Sequence, residues 1–96
     1  MQLSLGSLTL PHAAVLAPMS GITDQPFRRI VRSLGGGLVV SEMIASNAIL
    51  QSVRKEIRKL KFSSAMEAPL SIQLAGWDPE IMAEAARIAE QLGASI

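Results

Sequence analysis

The chain has 96 residues, 49% of them hydrophobic, a net charge of +1 and no cysteine. These values exclude a disulfide scaffold, a thiolate metal site and a cysteine nucleophile built from these residues, and the balanced charge gives no bulk argument for a nucleic-acid binder or an enzyme of acidic substrates. The apolar fraction is high for one small domain and points to a larger buried interior, of which this chain is a piece.

The elements follow in chain order. Leu3, Leu5, Leu8 and Leu10 alternate with polar or small residues around Gly6-Ser7, the pattern of a short half-buried hairpin. The leading segment lacks the positive start of a secretory signal, and no apolar run approaches the length of a membrane span, so a soluble, cytoplasmic protein is expected. "AAVLAPM" reads as a strand covered on both faces. It breaks at Pro18-Met19-Ser20-Gly21. Asp24 then caps a helix with Pro26 in its first turn, Phe27, Ile30, Val31 and Leu34 recur at helical spacing, and Gly35 to Gly37 stop it.

"GLVVSEMI" is the second apolar strand, followed by the polar corner "ASN" and a helix with Leu50, Val53, Ile57 and Leu60 on one face and basic residues from Arg54 to Lys61 on the other. "FSSAMEAP" is a loop by composition, and "PLSIQLAG" a third strand. Asp78-Pro79-Glu80 supplies a cap, a first-turn proline and a first-turn acid; Ile81, Ala85, Ile88 and Leu92 form a buried stripe that Gly93 ends. "ASI" begins a fourth strand. The order βαβαβαβ lays the strands parallel by right-handed crossovers, in a closed barrel or an open doubly wound sheet. No GxGxxG or Walker sequence follows the first strand, which removes the main signature of a dinucleotide fold.

Ligands of parallel sheets sit at the carboxyl ends of the strands, so polar residues late in apolar strands are the first candidates. Ser20 lies in a small-residue corner that a flat ligand can approach, although any tight strand-to-helix turn uses such residues. Ser41 and Glu42 end the second strand; Glu42 can orient a ligand or act as a base, or pair with a cation from a later strand. Gln73, on the third strand, offers donors and an acceptor without charge and matches the mixed edge of a heterocycle, or satisfies neighbouring backbone. His12 reads as a turn residue at the surface. Trp77 can stack on a ligand or pack over the following helix, the second being the expectation. The basic face from Arg54 to Lys61 reads as a solvated helix face rather than a phosphate contact. Paired carboxylates, metal-spaced ligands and a nucleophilic triad are missing.

With those corners laid out, "LAPMSGITDQPFR" at 16–28, "VSEMI" at 40–44 and "QLAGWDPEIMAEAARIAEQLGA" at 73–94 resemble the tRNA-dihydrouridine synthases of bacterial type, over essentially the whole chain. The resemblance implies an α/β fold: the N-terminal part of an FMN-binding (β/α)8 TIM barrel, with a hairpin over 1–12 and, over 13–96, three βα units plus the start of a fourth strand. It implies that Pro18, Met19 and Ser20 face the flavin, that Gln73 hydrogen-bonds the flavin's polar edge, and that Ser41 and Glu42 support the pocket. It further implies NADPH as reductant, uridine in tRNA as substrate, and a proton-donating cysteine in a segment beyond Ile96, so no catalytic residue is assigned here. No metal and no membrane partner are expected. The isolated chain is expected to be inactive, to bind FMN weakly or not at all, and to self-associate through its open sheet edge. Two alternatives stand beside this reading: another FMN barrel oxidoreductase of the dihydroorotate dehydrogenase kind, and a non-catalytic module that folds by pairing with a second copy.

Overall fold

A computed structural model describes residues 2–45 and 68–96. The expected helix carrying Leu50, Val53, Ile57 and Leu60, its basic face, most of the corner "ASN" and most of the loop "FSSAMEAP" lie outside the described residues.

The leucine alternation gives a hairpin of β1 (Leu3–Leu5) and β2 (Leu8–Leu10), antiparallel with Leu3 opposite Leu10. Its turn needs Gly6, whose φ is +59°. Leu10 is completely buried, so the hairpin is anchored at its second strand.

Three short parallel strands follow: β3 (Val15–Leu16), β4 (Leu38–Val40) and β6 (Leu70–Ser71), hydrogen-bonded in the order β3-β4-β6. Leu16 stands opposite Val39, and Val40 opposite Ser71. Beyond β6, Ala94 forms a parallel bridge with Leu70, Ser95 donates to the Leu70 carbonyl at 2.8 Å, and Ile72 donates to the Ile96 carbonyl at 3.0 Å. The fourth strand read from "ASI" thus starts where expected, and each described parallel strand sits beside its predecessor in the chain.

Helix α1 (Gln25–Ser33) joins β3 to β4, and its cap is the one read from sequence: Asp24 accepts the Phe27 N–H at 3.0 Å, with a proline in the first turn. Gly35, at φ +95°, ends it. Its packing differs from the simple reading. Ile30 and Leu34 are 60% and 82% exposed, while Arg28 is buried, because Arg28 turns inward to donate to the Thr23 carbonyl at 2.7 Å. Helix α2 (Pro79–Gln91) is capped by Asp78, which accepts from Glu80 at 2.9 Å and Ile81 at 3.3 Å. Here the predicted stripe holds in part: Ala85 and Leu92, with Ala89, pack on Leu70 and Ile72 to form the core, Ile88 and Leu74 lie against it, and Ile81 in the first turn is half-buried outside it. Burial of each large aliphatic side chain in such a cluster contributes about 1.5–3 kcal/mol.

The second and third strands are each longer in sequence than in the structure. "GLVVSEMI" divides into β4 and β5 (Ile44–Ala45), and "PLSIQLAG" into β6 and β7 (Leu74–Ala75); β5 and β7 pair in parallel, with Ile44 opposite Leu74. Four residue steps from Val40 to Ile44 face only three from Ser71 to Leu74. The second strand therefore carries one extra residue across Ser41-Glu42-Met43, a β-bulge, which breaks the ladder and re-aims the side chains around it.

Candidate functional site at the strand ends

The first corner begins after Leu16. The Met19 carbonyl accepts the N–H groups of Ile22 at 3.0 Å and Thr23 at 2.9 Å, folding residues 19–23 into a closed turn. Thr23, fully buried, locks it from the side: its hydroxyl accepts the Met19 N–H at 2.9 Å and donates to the Met19 carbonyl at 3.2 Å. Gly21 stands in the left-handed region at φ +77°, which its missing side chain allows. Within this turn Pro18 is half-buried, and Met19, Ser20 and Gly21 are exposed.

The second corner is the bulge. Glu42 is half-buried, and its carboxylate Oε1 accepts the Gly21 N–H at 2.5 Å, joining the second strand to the first corner. Among the described residues the carboxylate pairs with no Lys or Arg and its partner is a backbone amide; a cation from a later strand, the alternative read from sequence, lies outside the described residues. Ser41 is buried and makes three hydrogen bonds at the ladder's break. Its N–H donates to the Ser71 carbonyl at 2.9 Å, and its hydroxyl accepts the Gln73 N–H at 3.2 Å. The same hydroxyl donates to the Glu42 carbonyl at 3.2 Å. A side chain has taken the place of the backbone acceptor that the bulge displaced.

The third corner carries Gln73, which is exposed; its side-chain amide has no hydrogen-bond partner among the described residues. Thus Pro18 to Gly21, Glu42 and Gln73 all lie beyond the carboxyl ends of adjacent parallel strands, and two hydrogen bonds, Gly21 to Glu42 and Gln73 to Ser41, tie the three corners together. Uncharged backbone and an amide are offered outward, while the carboxylate is engaged inward.

Trp77 differs from expectation. It is 92% exposed rather than packed over α2, because the Asp78 cap directs the chain into the helix and leaves the preceding indole outside. His12 lies in an exposed turn, as read. Thr23 and the Gly21 N–H were not singled out from sequence; a threonine four residues after the methionine of a turn is a weak signal, since the bond it makes depends on how the turn closes. An open cavity of about 250 Å³ lies elsewhere, along the outer edge of the third strand, lined by Ile72, Leu74, Ala86, Ala89, Ala94 and Ile96 among others. It contains none of the polar strand-end residues, and its mostly aliphatic walls offer little to orient a ligand. Among the described residues no helix is long and apolar enough to cross a membrane, and no group of three or more His, Cys, Asp or Glu is placed to hold a metal ion.

Parallel strands in chain order, packed with helices and carrying polar residues at their carboxyl ends, define the class as a mixed α/β protein. The chain belongs to the dihydrouridine synthase family: the family model described as Dihydrouridine synthase (Dus) matches residues 15–96. It is 47% identical over 92 residues to tRNA-dihydrouridine synthase B of Pseudomonas aeruginosa, covering 96% of this chain and 27% of that protein. It is 48% identical over 96 residues to a probable tRNA-dihydrouridine synthase of Rhodobacter capsulatus, covering 100% of this chain and 30% of the relative, and 44% identical over 94 residues to one of Rickettsia bellii, covering 98% and 29%. The chain therefore spans about 27–30% of the length of these relatives.

Proposed function

We propose that this chain is the N-terminal part of the FMN-binding (β/α)8 barrel of a cytoplasmic tRNA-dihydrouridine synthase, which reduces uridine in tRNA to dihydrouridine with NADPH. The observation that carries the reading is the joining of three adjacent strand ends by the Gly21–Glu42 and Gln73–Ser41 hydrogen bonds, within a chain of this family. Strand order supports a barrel over a doubly wound sheet. In the doubly wound orders the third or the fourth strand returns to the side of the first, whereas here the third strand neighbours the second and the fourth begins beside the third.

The residues suit a flavin. The first corner is uncharged, and a Cβ built on Gly21 would meet nothing within 4 Å, so that side of the turn is open to a flat ring. Gln73 brings to the same end of the sheet an amide with no partner among the described residues. In this reading Pro18, Met19 and Ser20 present backbone and small side chains to the ring, Gln73 hydrogen-bonds its polar edge, and Glu42 with Ser41 keeps the corners in register. FMN bound there supplies hydride chemistry, its electronics tuned by hydrogen bonds to the ring. The 96-residue chain has no cysteine to donate a proton, and by itself it is inactive.

The test is direct. The full-length protein, incubated with NADPH and unmodified tRNA, is expected to carry a flavin absorbance spectrum and to form dihydrouridine. A flavin-loaded protein that reduces a free pyrimidine and leaves tRNA untouched would overturn the substrate assignment; a protein without affinity for FMN would overturn the cofactor.

A further inference from the structure

We infer that Glu42 is a positioning residue, a strut that sets the shape of the first corner through the Gly21 N–H rather than a group that touches the ligand. Its importance for the ligand rests on the flavin reading above; the strut itself does not.

Three observations carry it. Gly21 has a left-handed φ of +77°, and the Met19 carbonyl collects the N–H groups of the two residues after it, Ile22 and Thr23. The Gly21 amide instead finds its acceptor outside the turn, in the Glu42 carboxylate. The bulge is the second observation: the extra residue between Val40 and Ile44 takes Glu42 out of the ladder's alternation and lets it reach across to the neighbouring strand's corner. The third is Ser41, whose hydroxyl donates to the Glu42 carbonyl while accepting the Gln73 N–H, so the base of the strut is pinned from the third strand. One bulge thereby sets the first and third corners relative to each other across the second.

The strut predicts a dependence on acceptor position rather than on charge. In Glu42→Gln the side chain keeps its length and an acceptor oxygen. In Glu42→Asp it keeps the charge but falls one methylene short, and in Glu42→Ala it loses both. The readout independent of activity is hydrogen exchange of the Gly21 amide, followed by NMR in the ligand-free full-length protein, alongside titration of the apoprotein with FMN. We expect Glu42→Ala and Glu42→Asp each to speed Gly21 exchange and to weaken FMN binding by about tenfold or more, with Glu42→Gln within about threefold of the parent in both. Should the alanine variant fail to fold, the aspartate variant decides the same question. Unchanged Gly21 exchange in Glu42→Asp overturns the strut. Loss of FMN affinity in Glu42→Gln with Gly21 protection intact also overturns it, since Glu42 would then act on the ligand itself. If the parent binds no FMN, the flavin reading fails while the exchange comparison still decides the strut.

Discussion

Thr23 holds both backbone polar groups of Met19: the hydroxyl oxygen accepts the Met19 N–H at 2.9 Å and its proton goes to the Met19 carbonyl at 3.2 Å. A completely buried threonine thus closes the first corner, and the Thr23 carbonyl in turn receives the Arg28 guanidinium at 2.7 Å. Corner and helix α1 are therefore fixed to one another.

Replacing this hydroxyl by a methyl in Thr23→Val keeps the shape and removes both bonds, leaving the Met19 N–H without its acceptor. We expect a loss of about 1–3 kcal/mol, read from denaturant unfolding of the full-length protein. Thr23→Ser keeps the hydroxyl and is expected to recover most of it. Equal losses in the two variants would locate the effect in the methyl's packing instead.

Ser41→Ala removes the acceptor for the Gln73 N–H at the broken ladder. The hydroxyl sits in a residue only 3% exposed, so little water is present to replace it. A cost of about 1–2 kcal/mol is expected, together with weaker FMN binding because the third corner shifts. Chemical denaturation and flavin titration on the same variant separate the two effects.

Gln73→Leu tests the outward amide. Since Gln73 is exposed and its amide has no partner among the described residues, stability should stay within about 0.5 kcal/mol of the parent. FMN affinity should fall about tenfold through loss of hydrogen bonds to the ring. An unchanged flavin dissociation constant would remove Gln73 from the site.

Two glycines separate close approach from backbone conformation. A Cβ at Gly37 would lie 2.5 Å from the His12 carbonyl oxygen and 2.7 Å from that of Ala14, so Gly37→Ala must push β4 away from the segment leading into β3; about 2–3 kcal/mol of stability should be lost. At Gly21 the space is open and only the positive φ opposes a side chain, so Gly21→Ala should cost about 1–2 kcal/mol. Thermal unfolding of the pair gives the order; a larger loss at Gly21 would contradict it.

At the opposite end of the strands, Arg32 donates to the carbonyls of Gly37 and of Ala68, just ahead of β4 and β6. Arg32→Ala is expected to lower stability by about 1–3 kcal/mol while leaving KM for tRNA and kcat near parental values below the unfolding temperature. A selective fall in kcat would place Arg32 in the site's support.

The sequence by itself determined the hairpin of Leu3 to Leu10, both helix caps, the buried stripe of α2 and the strand-end positions of Ser20, Glu42 and Gln73. Those features follow from neighbours close in the chain: alternation, a capping oxygen two or three residues ahead of an N–H, and side chains repeating on one helical face. Tertiary structure alone decided the rest. The bulge at Ser41 to Met43 exists only relative to the strand beside it, because four residue steps count as one too many only against three. The contact of Glu42 with the Gly21 amide, 21 residues away, depends likewise on a group distant in sequence. Local patterns specify elements through short-range geometry. Which donor meets which acceptor across strands is set by register, and register is a property of the assembled sheet.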